Sequence, residues 1–284
     1  MRIRRLVAVA AVSAIALFAT TGTSYANSWH PGDGNQRDHG GYFGDDHHGP
    51  HMHGTTCSNG SIAPGTYSSI TVTGFCALDP GTFTVYGGVF LAPNAGLDGS
   101  NCDSHITIGG GVRVAPGALL FLGGSVNGTG CAADTNDVVN GGVYAFQSLG
   151  VVVHGTTING GFSVLGGGGG TSCENVPNLP FPPFTDVEDS AINGGAVIAG
   201  MNTCWMGFIR VAVNGSVHID FNTMGDPDSI EIGLNTINGN LGCIGNQIDP
   251  AIGGPGGVPT NSFDGSPPNP NVVSGKEFGQ CKGL

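Results

Sequence analysis

Charged residues are scarce in this 284-residue chain: only 10% are Asp, Glu, Lys or Arg, against about 25% in ordinary globular domains. Basic residues number only eight, and aromatic residues make up 7%. Amphipathic helices need a polar side facing solvent, so a chain with so few charges cannot form many of them. The composition therefore disfavours a helical architecture.

Long hydrophobic runs are also rare, and the one that stands out lies at residues 6–19, after a basic start and before the small residues around Ala26. This pattern predicts a secretory signal peptide over residues 1–26, with a membrane anchor as the alternative. Removing its three arginines from the eight basic residues leaves five against 20 acidic residues, a formal charge of −15. Such a surface repels nucleic acid and anionic membranes. We therefore expect a secreted protein, extracellular or at the cell surface, with no nucleic-acid partner and no membrane insertion.

Glycine, by contrast, is abundant at 53 residues, and it recurs in a unit of a branched apolar residue, one residue, Gly, a small or polar residue and another apolar residue. The copies begin at Val85, Ile108, Val139, Ile158, Ile192, Val213 and Ile237, with a partial copy at Val126. Their starts lie 13 to 34 residues apart, a loose period of about 20 that stacked β-solenoid coils produce. The chain is predicted to be all-β, a right-handed parallel β-helix.

Short alternating segments between the glycines support this fold, because alternation followed by Gly is typical of a half-buried strand and a turn. Two similar corners occur, at Pro93-Asn94 and at Pro116-Gly117. In this fold the branched residues point inward, Asn and Gly occupy corners, and the tight turns are expected to need positive φ. A β-sandwich is the competing architecture, although it would show longer strands and hairpin signals.

Composition divides the chain into four segments. Residues 1–26 form the signal peptide, and residues 27–56 form a His-, Gly- and Asp-rich tail expected to be disordered. The solenoid is predicted over 57–248, with an irregular insertion near 166–190. Residues 249–284 form a Pro- and Gly-rich segment, expected to be held back by Cys281.

The even number of cysteines predicts a disulfide framework in an exported protein. Eight cysteines allow 105 pairings, but these group naturally as sequential neighbours: Cys57 with Cys76, Cys102 with Cys131, Cys173 with Cys204, and Cys243 with Cys281. Metal thiolate sites are disfavoured because no Cys-x-x-Cys occurs.

The end of the chain carries a longer signature, Asn235-Thr236-Ile237-Asn238-Gly239-Asn240-Leu241-Gly242-Cys243-Ile244-Gly245-Asn246, followed by Gly279-Gln280-Cys281. This segment and the repeats resemble a group of secreted actinobacterial β-solenoid proteins. The resemblance covers the last fifty residues closely and the repeats only in pattern. It implies an exported solenoid closed by a bridge between Cys243 and Cys281, and it supplies no catalytic residues.

Histidines cluster in the tail, where they alternate with aspartates. The six are His30, His39, His47, His48, His51 and His53. Neutral imidazole is a common ligand of Zn, Cu and Ni, so the tail is expected to bind such an ion weakly; no cofactor is expected to be required. The alternative is a solvated spacer.

Secreted parallel β-helices include polysaccharide lyases and glycosidases, so an enzyme is the main alternative function. Candidate carboxylates are Asp186, Glu188 and Asp189 in the insertion, and Asp226 with Asp228, since glycoside hydrolysis needs two carboxyl groups. We interpret these as loop and turn residues. The arginines of the solenoid body, Arg113 and Arg210, are interpreted as outward strand residues that keep an exposed face solvated.

Two further groups of side chains are ambiguous. His154 and His218 alternate with valines and are expected to point outward, where such histidines are usually inert. Several aromatic residues could form an exposed platform for sugars, although packing in the core is favoured: Tyr67, Phe75, Tyr86, Phe90 and Phe121. The sequence thus favours a structural or adhesive solenoid that binds cell-wall polysaccharide or self-associates over an enzyme.

Overall fold

The computed structural model describes residues 53–177, 179–226, 229–251, 259–262 and 267–284. The predicted signal peptide and almost all of the His-rich tail lie outside these residues. The described chain is all-β, with parallel strand pairing throughout. The strands are β1 (Thr55–Ile62), β2 (Gly65–Tyr67), β3 (Ile70–Leu78), β4 (Gly81–Val85), β5 (Val89–Leu91), β6 (Gly96–Gly99), β7 (Ser104–Ile108), β8 (Val112–Val114), β9 (Leu119–Leu122), β10 (Asp137–Val139), β11 (Val143–Ser148), β12 (Gly150–His154), β13 (Thr156–Ile158), β14 (Phe162–Gly167), β15 (Phe184–Glu188), β16 (Ala191–Ile192), β17 (Ala196–Ala199), β18 (Asn202–Thr203), β19 (Trp205–Ile209), β20 (Ala212–Val213), β21 (Val217–Asp220), β22 (Thr223–Met224), β23 (Ile230–Gly233), β24 (Thr236–Ile237), β25 (Leu241–Ile244), β26 (Gln247–Ile248), β27 (Val272–Val273) and β28 (Glu277–Gly279).

These strands stack on three faces of a parallel β-helix, which confirms the predicted solenoid. The first face runs β2-β4-β7-β10-β13-β16-β20-β24-β27. The second face runs β5-β8-β11-β14-β17-β21-β25-β28, and the third runs β6-β9-β12-β15-β19-β23. The long strand β3 pairs with both β5 and β6 and so joins the second and third faces. A short ladder, β18-β22-β26, follows the second face in later coils.

The apolar residue that starts each repeat unit forms one inward column on the first face. Strand register pairs Val85 with Ile108, Ile108 with Val139, and so on to Ile237. Every member of this column is buried. Fully burying such a side chain contributes about 1.5–3 kcal/mol, so the repeated column is a main source of stability.

The central glycine of the repeat is explained by close stacking of turns. A Cβ on Gly160 would lie 2.7 Å from the carbonyl carbon of Gly141, and the same conflict recurs up the corner, for example between Gly194 and Gly160. These glycines do not have positive φ, so the expected positive φ is wrong for the turns of the repeat unit, although it is found at other corners such as Gly117 and Gly155. The absence of a side chain, rather than a left-handed backbone, is what the turn requires.

The two predicted corners do stack. Asn94 and Gly117 both adopt positive φ, and the backbone N–H of Asn94 donates to the Pro116 carbonyl at 3.0 Å. The partial copy at Val126 does not form a coil. It lies in an excursion over residues 123–136, and Val126 is exposed. The step from Ile108 to Val139 is therefore a single coil with a long loop.

The later excursions also differ from expectation. β14 extends to Gly167 and β15 begins at Phe184, so the insertion covers residues 168–183 only. β27 and β28, which lie in the C-terminal segment, add strands to the first and second faces.

Disulfides brace the coils. The four disulfides join Cys57–Cys76, Cys102–Cys131, Cys173–Cys204 and Cys243–Cys281, the sequential grouping that the spacing favours. They tie excursions to the body or neighbouring coils to each other. Disulfides of this kind are typical of extracellular proteins. None of the described residues belongs to a helix long and apolar enough to cross a bilayer.

Candidate functional site

A buried polar cluster lies on the outer side of the third face. Alternation along β12 points Val151 and Val153 into the core and His154 outward, yet His154 is only 4% exposed. His154 is in register with Glu188 of β15, and Asp186 lies two residues earlier on that strand. His154 Nε2 lies 3.0 Å from Asp186 Oδ2. The side chains of His154, Asp186 and Glu188 thus meet on adjacent coils.

Arg210 links this cluster to the next coil. Its guanidinium donates to Glu188 and, through Nε and Nη2, to both carboxylate oxygens of Asp189. Asp189 and Arg210 follow the ends of β15 and β19, and both have positive φ, 50° and 56°. The prediction that Arg210 is an outward strand residue is therefore wrong: it turns back at a corner and pairs with two carboxylates. Arg113, by contrast, lies on β8 and is exposed, as predicted.

The excursion over residues 123–136, here called the covering loop, buries the cluster. A Cβ on Gly128 would lie 2.6 Å from His154 Nδ1, so the glycine lets the loop backbone rest on the imidazole. The loop also reaches Asp189, to which Asn127 Nδ2 donates at 3.4 Å. Cys131 ties the loop to Cys102. The burial of His154 thus depends on the covering loop, which precedes this histidine in the sequence.

The electrostatics of the cluster follow from its burial and its charges. Burial alone would lower the pKa of His154, but the hydrogen bond to Asp186 and the charges of Asp186, Glu188 and Asp189 raise that pKa above its ordinary value of 6.5. Burial tends to raise the pKa of Asp189, whereas its hydrogen bonds to Arg210 and neighbouring residues lower it below the usual value. The cluster therefore favours a positive charge at His154.

Two atoms of the cluster are buried without a hydrogen-bond partner, His154 Nδ1 and Asp186 Oδ1. A buried polar atom left unpaired costs about 1–3 kcal/mol, so such atoms point to a missing partner. Asp186 Oδ1 faces Gly207 of the next coil, where a Cβ would collide with it. The glycine therefore leaves room beside this oxygen.

Aromatic rings cover the same face at the other end of β15. Phe184 lies between Phe121 and Trp205, with ring centroids 6.1 and 6.3 Å away. Phe181, from the insertion, packs on Phe121 at 5.3 Å and on Phe184 at 5.7 Å. The insertion thus closes this face instead of projecting from it.

The outer side of the second face is open. Phe90, Arg113 and Tyr144 occupy successive coils in register, and Phe146 pairs with Leu165 on the next coil. Phe90, Tyr144 and Phe146 are 43%, 50% and 58% exposed. We call these five residues the aromatic strip. Core packing, the favoured interpretation for the aromatic residues, is wrong for Phe90 and also for Tyr86, which is 59% exposed.

Other predicted site residues are scattered. Asp186 and Glu188 belong to β15 and are buried, so the prediction that they are loop residues is wrong. Asp226 follows β22, whereas Asp228 lies outside the described residues. His218 points outward from the second face, on a different side from His154, so the two histidines do not stack.

Of the six tail histidines, His53 is described, and it is exposed beside the first coil. His30, His39, His47, His48 and His51 lie outside the described residues, and the predicted metal binding of the tail stays a prediction. The described residues hold one group suited to a metal ion: His154, Asp186 and Glu188. From the sequence, each of these residues was interpreted separately. The signal that would have joined them is that Val153-His154 and Val187-Glu188 both end strands that lie on adjacent coils.

Comparison with known proteins adds no family to this description. No protein-family model, no curated protein and no solved structure matches the chain.

Proposed function

We propose that the protein is an extracellular adhesive module that binds an extended polysaccharide along the aromatic strip. The observation that carries this proposal is the register of Phe90, Arg113 and Tyr144 on three successive coils. Neighbouring parallel strands are about 4.8 Å apart, so the two rings lie about 10 Å apart along the solenoid axis. That distance is close to the repeat of two sugars in an extended β-1,4-linked glycan.

The chemistry of the strip suits this ligand. Aromatic rings offer large apolar faces with little conformational entropy to lose, and sugar rings present C–H groups that stack on them. Arg113 lies between the two rings and offers several donors for sugar hydroxyls or for carboxylates. The outward residues of β5, β8, β11 and β14 include no carboxylate, although the chain as a whole is acidic.

The alternative function, a polysaccharide-degrading enzyme, has weaker support. Its carboxylates Asp186 and Glu188 are 5% and 4% exposed, beneath the covering loop. Two carboxyl groups that act on a glycosidic bond must flank the polymer, and these two are not open to one in this structure.

The proposal is tested by mixing the secreted chain with insoluble cellulose, chitin and bacterial cell wall, and by measuring both retention and release of reducing or unsaturated ends. Retention on a β-1,4-linked polymer without products is expected. Release of products would favour the enzyme, and absence of retention on all three polymers would overturn the proposal and leave self-association of the solenoid as the remaining alternative.

A further inference from the structure

We propose that His154, Asp186 and Glu188 bind one divalent transition-metal ion, of the class of Zn²⁺, beneath the covering loop. This site is separate from the aromatic strip and from the histidines of the tail. Each of the three side chains offers one ligand atom, and these atoms all lie within 4.8 Å of one another.

The donor set fits such an ion. One imidazole nitrogen and two carboxylate oxygens are ligands that zinc accepts at about 2.0–2.2 Å. Two rigid strands hold the ligands, since β12 supplies His154 and the neighbouring β15 supplies Asp186 and Glu188.

The charge balance of the cluster also favours a cation. Asp186, Glu188 and Asp189 are three carboxylates, and Arg210 offers one guanidinium against them. With neutral His154, the cluster carries two uncompensated negative charges in a poorly solvated place. One divalent ion would balance them, and burying unbalanced charge is costly.

Unpartnered atoms point to the same place. His154 Nδ1 and Asp186 Oδ1 are buried without a partner although both belong to the proposed ligands. Oδ1 of Asp186 occupies the place that a side chain at position 207 would take, so Gly207 is what admits this carboxylate at the site. A metal-bound histidine usually donates its second N–H, and Nδ1, over which the loop backbone at Gly128 lies, has that role still unfilled.

The competing occupant is a proton. A protonated His154 would remove one of the two excess charges and keep the hydrogen bond to Asp186. The experiment must therefore separate metal binding from protonation and from capture of metal by the tail.

The test uses the full secreted chain in which the six tail histidines are replaced by alanine, so that only the solenoid can bind. We expect equilibrium dialysis against zinc sulfate at pH 7.5 to leave one zinc per chain, and cobalt(II) to give a visible absorption band that zinc abolishes. Asp186→Asn and Glu188→Gln keep the side-chain shapes and should each weaken zinc binding roughly tenfold or more, since even indirect changes at metal sites cost 10–100-fold.

His218→Gln is the matched control, because His218 lies on the second face, and it should leave zinc binding unchanged. If the chain without tail histidines folds but binds no zinc, the proposal is overturned without any further variant. The cluster would then hold only a proton, on His154. Unchanged zinc affinity in both carboxylate variants, each checked for folding by circular dichroism, would also overturn it.

Discussion

Arg210 and Glu188 form an ion pair across two adjacent coils, between a guanidinium that keeps some solvent exposure and a carboxylate that is almost fully buried. Glu188 lies on β15 and is 4% exposed, and its carboxylate accepts from the guanidinium of Arg210. Removing one member of a buried pair leaves an uncompensated charge. The guanidinium of Arg210 therefore compensates the buried negative charge of Glu188 on the third face.

Arg210→Ala should lower the free energy of unfolding by about 3 kcal/mol, the low end for breaking a buried pair, because the guanidinium is only partly buried. Arg113→Ala is the control: Arg113 is exposed on β8, and surface changes usually stay within about 0.5 kcal/mol. Both can be measured by chemical denaturation with the disulfides intact. Equal effects of the two substitutions would contradict the role given to Arg210.

Two neighbouring glycines of one turn should respond oppositely to alanine. A Cβ on Gly160 would lie 2.7 Å from the backbone of Gly141 and Gly142, whereas the nearest atom to a Cβ on Gly161 is 3.4 Å away. Gly160→Ala should therefore cost about 1–3 kcal/mol, as overpacking does. Gly161→Ala should be neutral or stabilising by about 0.4–1 kcal/mol, through the lower entropy of the unfolded chain.

The comparison is made by thermal and chemical unfolding of both variants. Similar losses at the two positions would show that the turn needs glycine for backbone conformation, not for close stacking.

Asp137 should make stability depend on pH. Burial raises its pKa from 3.8 to about 6, against the opposing effects of the hydrogen bonds from Ile106 and Thr135 and of the nearby His105. A raised pKa means that the folded state binds the proton more tightly. The stabilising contribution is therefore fully present below about pH 4 and is lost as the pH rises through about 6.

Asp137→Asn removes the charge and keeps an oxygen that accepts from the Ile106 N–H, while its NH₂ group can donate to the Thr135 hydroxyl in place of the bond that Asp137 accepts from it. Relative to the parent chain, this variant should gain up to about 3 kcal/mol in unfolding free energy between pH 4 and pH 7, from a shift of about two pKa units. Denaturation at the two pH values measures the difference, and effects of other titrating groups cancel between the two chains. A difference that is the same at both pH values would contradict the raised pKa.

The sequence was sufficient for the repeating part of the fold. Val85, Ile108, Val139 and the later column members are visible as a pattern because each coil must place one branched residue inward and one glycine at the crowded corner. The false copy at Val126 shows the limit: a short Val-Asn-Gly sequence suits a surface loop as well as a coil. Whether such a sequence forms a coil or a loop depends on the strands on either side of it, not on the motif itself.

The candidate sites were harder to predict, because they depend on what covers each face. Alternation correctly points His154 outward, but the covering loop, which precedes it by many residues, makes this histidine buried. Phe90 and Tyr144 also point outward, and they stay exposed because no excursion within the described residues crosses the second face there. The length of an excursion can be read from the sequence. The face over which it folds cannot, because that depends on tertiary contacts such as the one between Gly128 and the imidazole of His154.

The role of the aromatic strip is tested by the polysaccharide affinity of a triple variant, Phe90→Ala, Tyr144→Ala and Phe146→Ala. Leu234→Ala is the control, because Leu234 is 44% exposed and follows β23, on the third face. Retention on the polymer that the parent chain binds should fall at least tenfold in the triple variant, a loss of about 1.4 kcal/mol, and should be unchanged in the control. Undiminished retention by a folded triple variant would show that the aromatic strip does not bind the polymer.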